Sequence, residues 1–342
     1  MTAALVVQTS FLGDVILTTP LIAELAGRGP VDVLVTPQGA TALANNPDIR
    51  AIIRYDKRGT YGSALGLWSI IREIRSRRPY AAAYLAQGSF RSGLLAILTG
   101  AKERIGFASS TGRVLYTKQI AYRPDQHHAQ RLWSLAMSEG AGAPMREQIR
   151  PRLYPSDADR DTVDRLLRKK DALSQPIVAL APGSAWGTKR WPYYVELAKR
   201  LADDFRIAII GSNADSGIAR EIAGEVPAES VIDGTGSLSL LASAELIARA
   251  QVIVTNDSAP QHLASAMGTP TLSIFGPTVP EFGFGPLAER HIVAGHHGLS
   301  CRPCHRHGPQ RCPLGHWRCM RELSAEYISS LLPQVLHPPV PV

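Results

Sequence analysis

Short runs of aliphatic and β-branched residues alternate with longer amphipathic stretches along most of this chain. In the first half, the pattern predicts strands at Leu5–Gln8, Val31–Thr36, Ile52–Tyr55 and Ala81–Leu85, and helices at Asp14–Leu25, Thr41–Asn46, Gly62–Arg75 and Ser89–Leu98. Strands that alternate with helices are typical of a parallel sheet with helices on both faces. The first half therefore predicts an α/β domain with a doubly wound sheet.

The second half repeats this pattern with clearer boundaries. Its predicted strands are Ile177–Ala181, Ile207–Ile210, Val231–Asp233, Val252–Thr255 and Thr271–Phe275, and its predicted helices are Tyr193–Asp203, Ser216–Gly224, Leu238–Ala250 and Pro260–Met267. A charged stretch that favours a helix, Asp157–Lys170, lies between the halves and is followed by Ser174-Gln175-Pro176. We therefore predict a second Rossmann-like domain that joins the first near residues 155–176.

The domain boundaries follow from these elements. We place the first domain at residues 1–160 and the second at residues 175–323, with a loop rich in Cys and His at residues 296–319. A C-terminal helix within residues 324–342 is expected to pack back on the first domain. Ligands of doubly wound sheets bind at the carboxyl ends of the strands, so the two sheets are predicted to face a central cleft.

Size and charge narrow the class of protein. The chain has 342 residues, of which 45% are hydrophobic. Its length exceeds the size at which a single hydrophobic core usually stops growing, so two domains are expected. A net charge of +8 favours phosphate-rich partners, but the basic residues are dispersed and show no nucleic-acid signature. The N-terminus does not read as a signal peptide, and no uncharged apolar run approaches the roughly 18 residues that span a bilayer. We expect a cytoplasmic protein with at most peripheral membrane contact.

The segment Thr255–His262 carries the clearest functional signal. It follows a predicted buried strand and begins an apolar helix that ends before Gly268. Such a helix start directs unpaired N–H groups and the positive end of the dipole toward a ligand, which favours an anion such as a nucleotide diphosphate. The alternatives are that Asp257 or Ser258 is only an N-cap and that His262 is a buried imidazole.

Two loops that follow strands carry further candidates. The loop after the first strand lacks G-x-G-x-x-G, which disfavours a nicotinamide or flavin site, but it places Asp14 in the first turn of a helix. Asp14 is either a general base or a complement to the helix dipole. The loop Ala181–Pro192 contains the adjacent cations Lys189 and Arg190, which either bind phosphate or lie in solvent at a helix start. After the strand Ile207–Ile210, Asp215 is a weaker candidate for ribose hydroxyls.

All four cysteines lie in the Cys/His-rich loop, at Cys301, Cys304, Cys312 and Cys319. Four thiols over this span suit one tetrahedral zinc or iron ion, although the spacing lacks the second C-x2-C of a zinc ribbon. Reduced thiols and disulfides are the alternatives. A catalytic metal is disfavoured because no loop rich in Asp is evident.

Four segments taken together, in their order and spacing, resemble the bacterial heptosyltransferase family, glycosyltransferase family 9. The segments are Gly13–Pro20, Pro182–Pro192, Thr255–Ala264 and Phe275–Thr278. The resemblance implies a GT-B fold with an acceptor-binding first domain and a donor-binding second domain. It also implies inverting transfer of heptose from ADP-heptose to lipopolysaccharide inner core, without a catalytic metal.

The resemblance also implies roles for single residues. Asp14 becomes the general base and Lys189 the cation on the donor phosphates. The donor-binding set comprises Ser184, Thr188, Arg190, Asp215, Asp257, Ser258, Ala259 and His262. The chain has Ala259 where the family commonly has Gly, and Gln261 where Met or Ser is usual. Related heptosyltransferases that modify proteins contain four-cysteine clusters that bind iron, which extends the metal hypothesis to Cys301–Cys319.

Other functions stay open at this point. Within the family, the acceptor is an anionic lipopolysaccharide core at the inner-membrane surface or, alternatively, a protein, and the donor is ADP-heptose or another nucleotide sugar. Outside the transferases, the alternatives are a nucleotide-sugar epimerase with the GT-B fold and a non-catalytic protein that binds nucleotide sugars.

Overall fold

The computed structural model describes residues 3–56, 59, 64–77, 79–138, 140–170 and 175–337. The chain divides into two compact units, Met1–Tyr154 and Pro155–Val342. Each unit is a parallel sheet with flanking helices, which confirms the predicted α/β class.

Over the described residues of the first unit, we find six strands and seven α-helices. The strands are β1 (Ala3–Gln8), β2 (Val31–Val35), β3 (Ala51–Arg54), β4 (Tyr80–Leu85), β5 (Glu103–Phe107) and β6 (Lys118–Ile120). The helices are α1 (Leu12–Leu17), α2 (Thr19–Ala26), α3 (Pro37–Ala42), α4 (Ala64–Ser76), α5 (Phe90–Thr99), α6 (His128–Ser134) and α7 (Arg146–Ile149).

The part of the second unit that the structure describes also contains six strands and seven α-helices. Its strands are β7 (Ile177–Ala181), β8 (Arg206–Ile209), β9 (Val231–Asp233), β10 (Val252–Asn256), β11 (Thr271–Phe275) and β12 (His291–Gly295). Its helices are α8 (Asp157–Lys169), α9 (Tyr194–Leu201), α10 (Ser216–Glu225), α11 (Leu240–Arg249), α12 (Ala259–Met267), α13 (Arg318–Arg321) and α14 (Ala325–Leu336).

Both sheets have the Rossmann strand order. The first sheet runs β3-β2-β1-β4-β5-β6 and the second β12-β11-β10-β7-β8-β9. In such an order, successive strands are added outward in opposite directions from two adjacent central strands, and a crevice opens between these two at their carboxyl ends. These switch points lie between β1 and β4 in the first unit and between β7 and β10 in the second.

The central strands are buried along their whole length because helices cover both faces of the sheet. Every residue of β7, β10 and β11 is buried. Local signals fix where the helices begin and end. The Ser89 side chain accepts a hydrogen bond from the Ser92 N–H at the start of α5, and Gly268 ends α12 with a φ of 77°, which favours glycine.

Several elements differ from the sequence-based expectation. The predicted helix Asp14–Leu25 is divided into α1 and α2 at Thr18. The predicted helix Thr41–Asn46 instead begins at Pro37, because Thr36 caps it and proline is favoured in a first turn. Strands β5, β6 and β12 and helix α6 were not predicted from the pattern.

The connecting and terminal helices both lie in the second unit. Helix α8 belongs to the second unit, where the Ser239 hydroxyl donates to Asp159 at 2.6 Å and Arg249 pairs with Asp164 at 3.2 Å. The buried side chains of α14 join the core of that same unit, beside α9. The expected packing of the C-terminal helix on the first domain stays a prediction. Residues 62–63 of the predicted helix Gly62–Arg75, residues 171–174 of the predicted connection and residues 338–342 lie outside the described residues.

Within the described ranges, we find no helix that has both the length and the apolar character needed to cross a membrane.

A buried polar network fixes the β2 side of the first sheet. Asp32 is fully buried and accepts hydrogen bonds from Arg50 Nε at 2.8 Å and Nη2 at 2.7 Å. The Tyr80 hydroxyl donates to the same carboxylate at 2.6 Å. Burial, reinforced by this hydrogen bond to Asp32, raises the pKa of Tyr80 well above its usual range. The phenol therefore stays protonated and acts as a permanent donor.

We predict that Asp32→Ala lowers the free energy of unfolding by about 2 kcal/mol, because it leaves the buried Tyr80 hydroxyl and one side of Arg50 without an acceptor. Chemical denaturation of the first unit measures the loss. Glu73→Ala in the same unit is the control, since its ion pair with Arg77 lies in solvent and is expected to contribute little. Equal stabilities of the two variants would contradict the prediction.

Candidate active site

A buried ion pair lies at the switch point of the second sheet. Lys189 Nζ contacts Asp257 Oδ2 at 2.5 Å, and only 8% of each residue is exposed. The Thr278 hydroxyl donates to the same carboxylate oxygen at 2.6 Å. Lys189 ends the short turn Gly187–Lys189 after β7, whereas Asp257 directly follows β10. The ion pair therefore connects the loop after β7 to the loop after β10, the two loops that the sequence singled out.

Asn256 connects the same two loops a second time. Its side-chain N–H donates to the Pro182 carbonyl at 2.8 Å, and its side-chain oxygen accepts from the Trp191 N–H at 3.1 Å. Asn256 is fully buried, so these hydrogen bonds satisfy a polar group that would otherwise be costly to bury. The position of Lys189 is thereby set by β10 as well as by β7.

The start of α12 follows directly on this pair. Ser258 is the N-cap, but its side chain makes no capping hydrogen bond. Ala259 is the first residue of the helix, and His262 is buried one turn later. The first N–H groups of α12 thus lie beside Asp257, where a helix N-terminus favours an anion.

Three other predicted donor residues surround Lys189 along its own loop. Arg190 is exposed and its Nε donates to the Ser184 carbonyl at 2.8 Å, which folds the loop back on itself. The Ser184 hydroxyl accepts from the Trp186 N–H at 3.2 Å. Thr188 is buried, and its hydroxyl donates to the Pro309 carbonyl at 2.5 Å, so this side chain holds the loop in place.

Asp215 contacts the loop after β7 but has a local role as well. Its Oδ2 accepts from the Ser212 N–H at 2.8 Å and from the Ser212 hydroxyl at 2.9 Å. A Cβ atom on Gly183 would lie 2.5 Å from Asp215 Oδ1, so glycine is required for this close approach. Asp215 therefore lies at the edge of the candidate site, with Oδ2 bonded to Ser212 and Oδ1 beside Gly183.

The Cys/His-rich loop packs directly on the Lys189 loop. The Thr188 N–H donates to the Pro309 carbonyl at 3.2 Å, and Trp317 Nε1 donates to the Thr188 carbonyl at 2.9 Å. Gly308 has a φ of 86°, and a Cβ atom there would lie 3.2 Å from both Cε and Cγ of Lys189. This part of the chain therefore forms one wall around the Lys189 side chain, a role that sequence analysis did not predict.

The four thiols are free cysteines. Burial, with the neighbouring thiols, raises the pKa of Cys319 to about 11, so that this thiol is protonated at neutral pH. Cys301 Sγ lies 4.0 Å from His316 Nε2. Over the ranges that the structure describes, no three His, Cys, Asp or Glu side chains are arranged to hold a metal ion. The arrangement therefore offers no ready-made metal site, and the structural ion at Cys301, Cys304, Cys312 and Cys319 stays a prediction.

In the first unit, Asp14 lies in the first turn of α1, at the switch point between β1 and β4. The Ser10 hydroxyl donates to Asp14 Oδ2 at 2.6 Å, and His128 Nε2 lies 3.3 Å from Asp14 Oδ1. Side-chain exposure is 17% for Asp14 and 13% for His128. The carboxylate is thus held from both oxygens while part of it reaches the surface.

Ser10, His128, Asn256 and Thr278 were not predicted as site residues. Ser10, Asn256 and Thr278 lie within segments that the sequence singled out, and their closeness along the chain to the predicted residues was a usable signal. His128 offered only a tandem pair of histidines before an unpredicted helix. Its contact with Asp14 depends on tertiary structure and has no local signature.

Comparisons with known proteins show which family this chain is similar to. The model of glycosyltransferase family 9 (heptosyltransferase) matches residues 67–316. Lipopolysaccharide heptosyltransferase 2 of Escherichia coli is 27% identical over 314 residues, which cover 86% of this chain and 89% of that protein.

Two solved structures show the same fold. A family 9 glycosyltransferase from Veillonella parvula superposes with a TM-score of 0.81 at 21% identity, covering 98% of this chain and 97% of that one. The ADP-heptose lipopolysaccharide heptosyltransferase II of Escherichia coli gives a TM-score of 0.77 at 22% identity and covers 98% of both chains. These likenesses confirm the predicted GT-B fold.

We predict that Gly308→Ala destabilises the protein more than Gly315→Ala does. Both glycines have positive φ, 86° and 73°, so each substitution costs about 1 to 2 kcal/mol of backbone strain. Only the alanine at 308 meets Lys189, whereas a Cβ at Gly315 has nothing within 4 Å. Overpacking then adds at least about 1 kcal/mol, measurable as a difference in the free energy of unfolding. Equal losses would show that the Lys189 side chain moves aside freely.

Proposed function

Because the chain belongs to glycosyltransferase family 9, the heptosyltransferases, we propose that it transfers heptose from ADP-heptose to a hydroxyl group of lipopolysaccharide inner core, with inversion. The observation that carries this proposal is the buried Lys189–Asp257 pair at the start of α12. It combines a fixed cation with a helix N-terminus, and both favour a diphosphate. The names of the Escherichia coli relatives support this choice of donor and acceptor.

The donor diphosphate would bind between Lys189 and α12. An ammonium group has three N–H donors, and one of them is directed at Asp257, so two are left for phosphate oxygens. The Ser258 side chain makes no capping bond, and so the first N–H groups of α12 are suited to the same phosphates. Arg190 and Ser184 supply further donors at the exposed end of the loop, and Asp215 would accept from ribose hydroxyls. The buried His262 would support the phosphate-binding turn.

The proposed transfer is a single displacement. Asp14 takes the proton from the acceptor hydroxyl, and the oxygen lone pair forms a bond to the anomeric carbon of heptose. The bond from that carbon to the β-phosphate oxygen breaks, and its electron pair leaves with ADP. Lys189 and the N–H groups of α12 then stabilise the charge that develops on the diphosphate.

The same groups support metal-independent transfer. Positive charge at the leaving group is what a divalent ion supplies in many transferases, and Lys189 with the helix dipole of α12 supplies it here. The net charge of +8 suits an acceptor that carries carboxylates and phosphates. We infer that the protein acts at the cytoplasmic face of the inner membrane, in peripheral contact with it.

We predict that ADP and ADP-heptose bind more tightly than UDP in calorimetric titration, and that Lys189→Ala weakens ADP binding on the order of 10- to 100-fold, as expected for lost charged hydrogen bonds. Lys199→Ala is the matched control, since Lys199 is exposed and pairs with Glu225 at 2.8 Å. A preference for UDP, or equal ADP affinity in both variants, would point to another nucleotide sugar or another donor site.

We predict that Asp14→Asn lowers the turnover number on the order of 10²- to 10⁴-fold while ADP affinity is unchanged, because a general base acts only in the chemical step. The assay follows ADP release from ADP-heptose with lipopolysaccharide acceptor lacking the added heptose. Asp48→Asn in the same unit is the control. Release of ADP without any acceptor would contradict a transferase.

The same assay separates the competing functions. Isomerisation of the donor sugar would favour a nucleotide-sugar epimerase, and heptose found on a protein would favour a protein acceptor.

A further inference from the structure

His128 is held at Asp14 by the architecture of the first unit. It is the first residue of α6, and the preceding His127 caps that helix by accepting from the Ala129 N–H at 3.2 Å. Helix α6 packs on α1, which carries Asp14, and on α2. The start of α6 is therefore fixed both locally and by its neighbours.

Arg131 further fixes α6. It is 2% exposed, and it donates from Nη1 to the Tyr122 hydroxyl at 2.6 Å and from Nη2 to the Pro124 carbonyl at 2.9 Å. These bonds tie the helix to the segment that leads into it. Since Leu132 and Trp133 are also buried, α6 has little freedom to rotate.

From this geometry we infer that His128 is a positioning residue for the transfer reaction: its Nε2–H donates to Asp14 Oδ1 and sets the orientation in which the carboxylate meets the acceptor hydroxyl. The inference rests on the proposed function, in which Asp14 is the base. The Ser10 hydroxyl holds Asp14 Oδ2, and an Nε2–H of His128 at Oδ1 opposes rotation of the carboxylate about its bond to Cβ.

Ser10 and His128 contact different oxygens of the Asp14 carboxylate. The Asp14 side chain is 17% exposed, so part of the group lies at the surface, where an acceptor hydroxyl can approach it. In the reaction, the proton of the acceptor hydroxyl passes to Asp14, while the hydroxyl oxygen bonds to the anomeric carbon and ADP leaves with the electron pair of the broken bond. His128 keeps its own proton throughout. Its effect is on alignment, where a displacement of about 1 Å can cost on the order of 10²-fold in rate.

The test compares His128→Ala and His128→Gln with wild type in the acceptor-dependent assay. We expect His128→Ala to lower kcat on the order of 10²-fold, with ADP affinity by calorimetry unchanged. His128→Gln, whose amide N–H can take the place of Nε2–H, is expected to recover much of the loss. Added imidazole is expected to restore part of the activity of His128→Ala but none of that of Asp14→Asn.

His127→Asn is the matched control. Asparagine is a favoured N-cap, so this variant removes a neighbouring imidazole but keeps an acceptor for the Ala129 N–H, and kcat should stay near the wild-type value. Should His128→Ala fail to fold, His128→Leu, which fills a similar volume without a donor, must show the same loss of kcat.

The outcomes separate the two proposals. If wild type transfers no heptose from ADP-heptose, the proposed function fails and the role of His128 fails with it. If wild type transfers heptose and folded His128→Ala or His128→Leu retains its kcat, only the role of His128 is overturned. A loss of kcat that neither glutamine nor imidazole restores would also overturn it, because that result describes a structural residue.

Discussion

The strand order of the two parallel sheets is the constraint on which the candidate chemistry depends. In each sheet the order reverses between two central strands, β1 and β4 or β7 and β10, and loops that leave these strands diverge at their carboxyl ends. Asp14 follows β1, while Lys189 and Asp257 follow β7 and β10. These three side chains thus lie at the carboxyl ends of the central strands, where the loops of a parallel sheet are accessible to a ligand.

Burying Lys189 against Asp257 is costly unless every polar partner is satisfied. The structure meets this condition with several loops at once: Thr278 contributes a hydroxyl to the carboxylate, Asn256 joins the flanking loops, and the Cys/His-rich loop packs on the lysine stem. The Cys/His-rich loop therefore has a structural role through Gly308, Pro309 and Trp317, whatever its thiols bind. A change in that loop would reach the candidate donor site through direct contacts.

Much of this arrangement could be predicted from local sequence, and the exceptions have physical causes. The segment from β10 to α12 was predicted because an apolar strand, a polar turn and a helix ended by Gly268 are all local signals. Strand β6 was missed because it is short and exposed, and β12 because it lies at the sheet edge and begins with an exposed histidine.

Tertiary contacts were harder to predict than elements. Lys189 and Asp257 were each singled out from their loops, but nothing local indicated that they pair. Thr188 was predicted only as part of the donor-binding set implied by the resemblance, and nothing local indicated that its hydroxyl donates to the Pro309 carbonyl of the Cys/His-rich loop. The contact of His128 with Asp14 joins segments far apart in the chain, and no periodicity encodes such a pair.

The two carboxylates at the switch points differ in ways that fit different tasks. Asp257 is 8% exposed, and one of its oxygens is shared by an ammonium and a hydroxyl, so its geometry serves to hold Lys189 beside α12. Asp14 is more exposed and is contacted on one oxygen by Ser10 and on the other by His128, so the carboxylate is oriented while part of it lies at the surface. A base must be oriented yet reachable, and a counter-ion must be enclosed. The contacts alone therefore favour Asp14 as the group that meets substrate and Asp257 as the group that positions the cation.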